Sequence, residues 1–222
     1  MDETPQMITR YEPTGVQAEF EPGSRGRVLR NLLGITRVSD IKLVESQALL
    51  LAQRRAVETY SEDHRFTAAD LCHLHREWLH PVYPWAGEYR SVNIGKGDLQ
   101  FAHAPLVPGL MSELERGPLA WHTPCRPISN DALAMAMAEV HAELILVHPF
   151  REGNGRVARL LAMPMGLQAG LPPLDFSTLE GRGRERYFAG IRAAIGRDYA
   201  PLAETFFRVI SRTWKRAASN ER

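Results

Sequence analysis

The chain has 222 residues, enough for one hydrophobic core but too few for two large domains. Its 27 Lys and Arg residues nearly balance 26 Asp and Glu residues, for a net charge of +1. This balance excludes a protein that holds nucleic acid or an anionic membrane by bulk charge. No apolar run approaches the roughly 20 residues of a membrane helix, and no secretory signal pattern begins the chain. We therefore expect a cytoplasmic protein without direct nucleic-acid or membrane binding, leaving secretion by other signals open.

The domain boundaries are predicted from composition. Residues 1–30 are rich in proline and glycine without a sustained period, which predicts an extended N-terminal arm with no catalytic role. We place the folded domain at residues 31–217 and a short tail at 218–222. Cys72 and Cys125 form no CxxC pair and are predicted to be buried thiols.

Two helices are predicted in the first third of the domain. One runs from Ser39 to about Tyr60 and carries a broad apolar stripe: Ile41, Leu43, Val44, Ala48, Leu51 and Ala52. The second begins at a capping box of Thr67 and Asp70 and ends near Leu79. Its histidines lack the HExxH arrangement of a metal helix and are interpreted as ordinary helix residues: His73, His75 and His80.

The remaining elements are one hairpin and four helices. Short β-compatible runs within residues 88–102 flank a turn at 95–98, and this hairpin must lie against the helical body to be stable. A long helix is predicted from Asn130 to Val147, capped by Ser129, with a buried stripe: Leu133, Met137, Val140, Leu144 and Val147. Further helices are predicted at 154–168, 184–195 and 201–216. The predicted fold class is mostly α with one β-hairpin.

The segment from His148 to Arg156 is predicted to bind an anion. Pro149 disfavours helical geometry at His148 and ends the preceding helix. The next helix begins at Gly153-Asn154-Gly155, where unpaired backbone N–H groups and the helix dipole favour a phosphate. Arg156 and Arg159 share a helix face and would add charge-assisted bonds to phosphate oxygens.

Two further residues of the segment suggest chemistry on a phosphate. Glu152 would repel a bound phosphate unless a cation lay between them, and Mg²⁺ is usually held by one or two carboxylates plus phosphates. His148 would be a neutral base near neutral pH, because the ordinary imidazole pKa is about 6.5. Each of these residues alone is more often structural, but no packing requirement demands this set in this order.

An alternative reading is a dinucleotide-binding loop. Residues 153–158 match G-x-G-x-x-A, and Asp175 falls about twenty residues further on. That fingerprint should follow its strand directly and open a βαβ unit, whereas Arg151 and Glu152 intervene and strands do not alternate with helices. An NAD-dependent oxidoreductase is therefore a minor alternative.

The loop resembles the signature of the Fic family, HxFx(D/E)GN(G/K)RxxR. The residues that match it are His148, Phe150, Glu152, Gly153, Asn154, Gly155, Arg156 and Arg159. Residues 85–90 and 93–102 look like the family's flap hairpin, and the resemblance covers about residues 33–216. It implies a Fic-type helical bundle with one β-hairpin flap, in a short, stand-alone, toxin-like member.

The resemblance implies a protein adenylyltransferase that moves AMP from ATP to a Tyr, Thr or Ser hydroxyl of a target protein. His148 would be the base, Glu152 would hold Mg²⁺, and Phe150 would pack inward to fix the loop. The phosphate-binding residues would be Gly153, Asn154 and Gly155 around the α-phosphate and Arg156 and Arg159 on the β and γ side. The flap that docks the target would use Gly95, Lys96, Gly97 and Phe101.

Differences within the family bear on nucleotide choice and regulation. Gly155 stands where phosphorylating relatives carry Lys, and Gly153 where phosphocholine-transferring relatives carry Ala, so AMP transfer is favoured, with UTP and GTP left open. Tyr187 and Phe188 are predicted either to line the base pocket or to belong to the core.

The family's inhibitory pattern, (S/T)-x-x-x-E-(G/N), is not found in the sequence. We therefore hypothesise a separate antitoxin-like partner that docks over residues 39–60 and pairs with Arg159. A catalytically idle module that binds a nucleotide or a partner stays as an alternative.

Overall fold

The computed structural model describes residues 15–96 and 99–220 of the chain. Within these ranges the helices are α1 (Val38–Thr59), α2 (Ala68–Leu79), α3 (Val107–Leu114), α4 (Ala120–His122), α5 (Asn130–Val147), α6 (Asn154–Gln168), α7 (Arg182–Ala194) and α8 (Ala200–Asn220). Short 3-10 helices lie at Ala104–Leu106 and Phe176–Leu179, and a π-helical turn at Glu115–Leu119 joins α3 to α4. No helix in the described ranges is long and apolar enough to cross a membrane.

Local signals placed most of the helix ends correctly. α5 and α6 have the predicted bounds, and Ser129 caps α5 by accepting a hydrogen bond from the N–H of Ala132. Thr67 and Asp70 form the predicted reciprocal capping box at the start of α2. α7 and α8 begin and end within a few residues of their predicted positions.

α5 is the central helix of the fold. It packs against α3, α6, α7 and α8, and its predicted stripe is buried in full. Alanines and His141 are buried on its other faces, so α5 is covered nearly all round. Since α5 ends at the functional loop and α6 begins there, the loop is anchored at both ends in the core.

The apolar stripe predicted for α1 is partly wrong. Leu43 and Leu51 are 59% and 58% exposed. The buried residues of this helix are Ile41, Glu45, Ala52 and Ala56, which fall on one face at spacings of four and seven. A narrow buried face is enough to attach α1 to the domain, because α1 lies at the surface and packs on α2 and α6.

The hairpin is shorter than its predicted span. β1 (Gly95–Lys96) and β2 (Leu99–Gln100) pair antiparallel, with Gly95 opposite Gln100 and Lys96 opposite Leu99. Gly97 lies outside the described residues, so its predicted place in the flap receives no structural account. The use of this hairpin as a docking flap stays a prediction.

Candidate active site

His148 closes α5 in a left-handed conformation, with φ 51° and ψ 59°. For a residue other than glycine this conformation costs about 1–2 kcal/mol, and such strain clusters at functional sites. The imidazole Nδ1 lies 3.0 Å from the carbonyl oxygen of Ile145. This contact assigns the proton to Nδ1 as donor and the basic lone pair to Nε2. Phe101, predicted as a flap residue, stacks its ring on the imidazole with centroids 3.7 Å apart.

The loop that follows His148 is fixed from inside the protein. Phe150 is fully buried, and its ring stacks on His75 at 4.0 Å. The amide of Asn154 donates to the Phe150 carbonyl and accepts from the Phe150 N–H, both at 2.8 Å. The Asn154 side chain therefore holds the loop in shape, and only its backbone N–H is available to the predicted anion hole.

Gly153 has room for no side chain. Its φ is +85°, and a Cβ at this position would lie 2.5 Å from the Trp78 ring. Its N–H donates to the Glu152 carboxylate at 2.8 Å. In residues 15–96 and 99–220, no hydrogen bond uses the N–H groups of Asn154 and Gly155. These two N–H groups are the open donors of the first turn of α6.

His75 supports the loop from below. Its Nδ1 accepts from the Gly87 N–H at 2.7 Å, so its Nε2 donates to the Glu152 carbonyl at 3.1 Å. Burial lowers the pKa of His75 to about 4, so the ring is neutral at neutral pH. The sequence interpretation missed this supporting role, because it depends on a residue 77 positions away.

Arg156 is neutralised by two carboxylates. Its Nη1 donates to Glu45 at 2.7 Å, and its Nη2 donates to Glu152 at 3.1 Å. The guanidinium also lies over the Trp78 ring, 4.5 Å from its centroid. Glu45 comes from α1, 111 positions earlier, and the sequence reading did not identify it.

Arg159 has a different environment, although it shares the helix face with Arg156. Its side chain is half-buried, and burial lowers its pKa. Among the described residues, no carboxylate or hydrogen-bond acceptor pairs with it. A poorly hydrated guanidinium that the described residues leave without a counterion, next to open backbone N–H groups, is an arrangement expected to attract an anion.

The structure does not bring Tyr187 to the cleft. This side chain is 7% exposed, and its hydroxyl lies 2.8 Å from Nε2 of His141 in the core. The core reading of Tyr187 therefore fits the structure better than the base-pocket reading. The charge of Arg159 acts to lower the pKa of Tyr187, and Tyr187 acts to raise the pKa of Arg159.

A cleft of about 770 Å³ opens over the loop. The loop and the α6 residues form one side, and the lining also includes arm and α1 residues: Arg27, Val28, Leu29, Val38, Ile41 and Lys42. Residue 17 of the arm is tied to the loop, because the backbone carbonyl of Gln17 accepts from Nε of Arg151 at 2.7 Å. The arm was predicted to have no catalytic role, and its described portion borders the cleft.

Arg90 joins the hairpin segment to the loop that begins at His148. It is 2% exposed, and it donates to three carbonyl oxygens: His148 at 2.7 Å, Val92 at 3.0 Å and Ala102 at 2.6 Å. Burial lowers its pKa. Because Val92 and Ala102 lie on either side of β1 and β2, one side chain sets the hairpin against the backbone of His148.

The residues present suit a Mg²⁺ ion that arrives with a nucleotide. The Glu152 side chain is 45% exposed and lines the cleft. The described residues contain no cluster of three or more His, Cys, Asp or Glu ligands. One carboxylate plus phosphate oxygens is a common way to hold Mg²⁺, whereas a resident metal would need more protein ligands.

The structure argues against the dinucleotide alternative. Residues before the loop belong to α5, which runs to Val147, so no strand leads into Gly153. Among the described residues the only sheet is β1 with β2, and no βαβ unit is formed. The predicted phosphate-binding residues lie on a loop between two core helices, at the end of α5 and the start of α6.

Comparison with known proteins identifies the family. The model of the Fic/DOC family matches residues 65–164. The chain is 31% identical over 192 residues to the probable protein adenylyltransferase y4lH of Sinorhizobium fredii, covering 85% of this chain and 93% of that protein. It is 29% identical over 148 residues to the probable protein adenylyltransferase Fic of Salmonella typhimurium, covering 64% and 70%.

A solved structure shows the same fold. The BepC protein of Bartonella tribocorum, a VirB-translocated effector with bound AMPPNP, superimposes with a TM-score of 0.69 at 23% identity, over 87% of this chain and 96% of that one. The chain belongs to the Fic/DOC family. The predicted family, the mostly α Fic fold and the enzyme class, a nucleotidyltransferase, are confirmed.

Proposed function

We propose that the protein is a protein adenylyltransferase that transfers AMP from ATP, with Mg²⁺, to a hydroxyl group of a target protein. The observation that carries this proposal is Arg159, a half-buried guanidinium without a carboxylate partner among the described residues. It lies beside the open N–H groups of Asn154 and Gly155, at the loop that begins with His148. The names of the relatives support the same reaction, and the AMPPNP bound to BepC supports a nucleotide as the ligand.

The triphosphate would lie along the first turn of α6. The N–H groups of Asn154 and Gly155 would bind phosphate oxygens there, and the Arg159 guanidinium would gain a counterion that the described residues do not give it. Glu152 would hold Mg²⁺, which supplies charge neutralisation to the phosphates when bound.

His148 would act as the general base. Its Nε2 takes the proton of the target hydroxyl while the hydroxyl oxygen forms a bond to the α-phosphorus. The bond from the α-phosphorus to the oxygen that bridges to the β-phosphorus breaks, and pyrophosphate leaves with that oxygen. The target oxygen ends as a phosphodiester with AMP.

The hairpin would present the target hydroxyl. An extended target segment would add to β1 or β2 by backbone hydrogen bonds, as strands add to a free sheet edge. Arg90 supports this role, since it joins both flanks of the hairpin to the His148 carbonyl. Phe101 covers one face of the imidazole, so the hydroxyl would approach Nε2 at the ring edge.

Regulation by a separate partner is the second part of the proposal. Four apolar residues of α1 are between 39% and 61% exposed: Leu43, Leu50, Leu51 and Val57. A small antitoxin-like protein that covers this face and places a carboxylate on Arg159 would block the phosphate site. The chain alone is expected to be active. A purified chain that is inactive, and gains activity on truncation of residues 1–14, would contradict external regulation.

Labelling from ATP tests the activity. The chain with Mg²⁺ and ATP labelled in the α-phosphate should label a discrete protein in a bacterial lysate, whereas ATP labelled in the γ-phosphate should not. His148→Ala should reduce labelling by about 10²- to 10⁴-fold, and it should keep AMPPNP binding by calorimetry. Labelling that persists in His148→Ala would refute the assignment, and AMPPNP binding without any α-label transfer would favour the idle module.

A further inference from the structure

Glu45 is a charged residue in the buried line of α1. It shares this line with Ile41, Ala52 and Ala56, and it is 4% exposed. A buried carboxylate destabilises a fold unless its oxygens are hydrogen-bonded and its charge is paired. Its contacts therefore indicate why it is there.

Two of the three hydrogen bonds that Glu45 accepts from side chains involve Arg156 or the ring beneath it. One carboxylate oxygen accepts from the Tyr83 hydroxyl and the other from Nη1 of Arg156, both at 2.7 Å. The backbone carbonyl of Glu45 accepts from the Trp78 indole at 2.8 Å. Trp78 is the ring over which Arg156 lies. Glu45 thus binds the edge of the Arg156 guanidinium directly, and it also holds the Trp78 ring that lies against the guanidinium face.

Glu45 could serve Arg156 in two opposite ways. It could hold the guanidinium in place for a phosphate, or it could compete with the phosphate for the same N–H groups. The hydrogen bonds favour the first. A guanidinium has five N–H donors, and Glu45 and Glu152 take one each, from Nη1 and Nη2. The Glu45 side chain is 6% exposed against 26% for Arg156, so an entering anion meets the arginine first.

We propose that Glu45 is a positioning residue of the nucleotide site, which holds Arg156 at the angle needed to bind phosphate oxygens. This inference rests on the proposed function for its role in AMP transfer. It gives Glu45 a supporting task, since the carboxylate touches Arg156 and not the substrate.

Substitution by glutamine tests the sign of the effect. Glu45→Gln keeps the shape but offers one acceptor where the carboxylate offers two, so Tyr83 or Arg156 loses its partner. The KM for ATP is expected to rise about tenfold, with kcat nearly unchanged. Glu58→Gln, an exposed position on the same helix, is the matched control and should leave both constants unchanged. A fall in KM or a rise in turnover would show that Glu45 blocks the site, and would overturn the proposal.

A double-mutant cycle separates positioning from a general structural effect. In an Arg156→Gln background, adding Glu45→Gln should raise the KM for ATP no further, because the group being positioned is absent. A second tenfold rise in that background would show that Glu45 acts through the fold. If Glu45→Gln does not fold, Tyr83→Phe removes one bond to Glu45 and should raise the KM about twofold to threefold.

Calorimetry with AMPPNP keeps this inference separate from the proposed reaction. If the unmodified chain transfers no AMP, the proposed function fails, yet Glu45→Gln should still weaken AMPPNP binding about tenfold. If transfer proceeds and AMPPNP binding is unchanged in Glu45→Gln, the reaction stands and the positioning role is refuted.

Discussion

Arg156 and Arg159 lie three residues apart on α6, yet their surroundings are opposite. Arg156 is paired with Glu45 and Glu152 and lies over Trp78. Arg159 is half-buried, and the described part of the chain gives it no acidic partner. The first arginine is held in a fixed position before any ligand arrives, while the second retains the uncompensated charge that a phosphate would neutralise.

A buried histidine lies close to each arginine. Desolvation lowers the pKa of His75 to about 4, with a smaller contribution from the Arg156 charge. Desolvation lowers the pKa of His141 to about 3, and the Arg159 charge adds to this effect. Both rings are neutral at neutral pH, so neither competes with the arginines for a bound anion.

The largest contrast is expected in stability without nucleotide. Arg156→Met leaves Glu45 buried without its counterion and should lower the free energy of unfolding by about 3 kcal/mol. Arg159→Met removes a half-buried charge that has no counterion among residues 15–96 and 99–220, and it should leave that free energy within about 1 kcal/mol, or raise it. Urea unfolding of both variants is the measurement, and equal losses would break the comparison.

The contrast should extend to nucleotide binding at Arg159. Arg159→Met should weaken AMPPNP binding about tenfold to hundredfold, because a charge-assisted contact to phosphate is lost from a desolvated site. Calorimetry would measure the change against Arg192→Met, an exposed arginine on α7 that lies outside the cleft. Equal AMPPNP affinities in Arg159→Met and Arg192→Met would show that Arg159 does not bind the nucleotide.

Acid should destabilise the protein through the two histidines. The unfolded chain binds protons at the ordinary imidazole pKa near 6.5, while the folded chain resists them down to about 4 at His75 and about 3 at His141. Stability is therefore full above about pH 6.5 and falls as pH decreases toward 4, by about 1.4 kcal/mol per pH unit for each histidine. Urea unfolding between pH 7 and 5 measures this slope.

The same titration separates the two arginines. Imidazole signals in NMR spectra should show that Arg159→Met raises the pKa of His141 and leaves that of His75 in place, since only His141 feels the Arg159 charge. A rise at both histidines would mean that the substitution loosened the core.

The smallest effect is expected at Gly155. A Cβ there would have no neighbour closer than 3.9 Å, so Gly155→Ala should not lower stability. The methyl group narrows the approach to the N–H of residue 155, and AMPPNP binding should weaken about fivefold. Gly109→Ala on α3, which also meets no neighbour, is the control for the general effect of the substitution. Unchanged binding in Gly155→Ala would place the phosphate nearer to Arg159.

Local signals explain what could be predicted from the sequence. The ends of α5 and α6 follow from a serine cap, Pro149 and Gly170, which act within a few residues of themselves. The chemistry of the loop is also local, because its acid, base and cations lie between His148 and Arg159. The direction of a side chain is harder to predict from the sequence. The Asn154 amide is hydrogen-bonded to the backbone of Phe150, and the Tyr187 side chain lies in the core.

Long-range contacts explain what was missed. The sequence pattern could have indicated Glu45, because it is a charged residue on the same helical line as Ile41 and Ala52. The pattern of α1 does not indicate that its partner is Arg156. Arg90 left none, because its three partners are backbone carbonyls, which every residue carries. The described part of the arm is joined to the loop through Gln17, whose carbonyl accepts from Arg151, 134 positions further along the chain.

The sequence by itself predicted the six longest helices of the described residues, the family and the groups that follow one another on the loop before α6, since all of these depend on neighbours along the chain, whereas α3 and α4 were not predicted. Only the tertiary structure decided that Arg156 is paired with carboxylates and that Arg159 has no acidic partner among the described residues. Ion pairing and desolvation depend on distances in space. Glu45, which gives Arg156 a partner that Arg159 lacks among the described residues, lies on α1, 111 positions earlier in the chain.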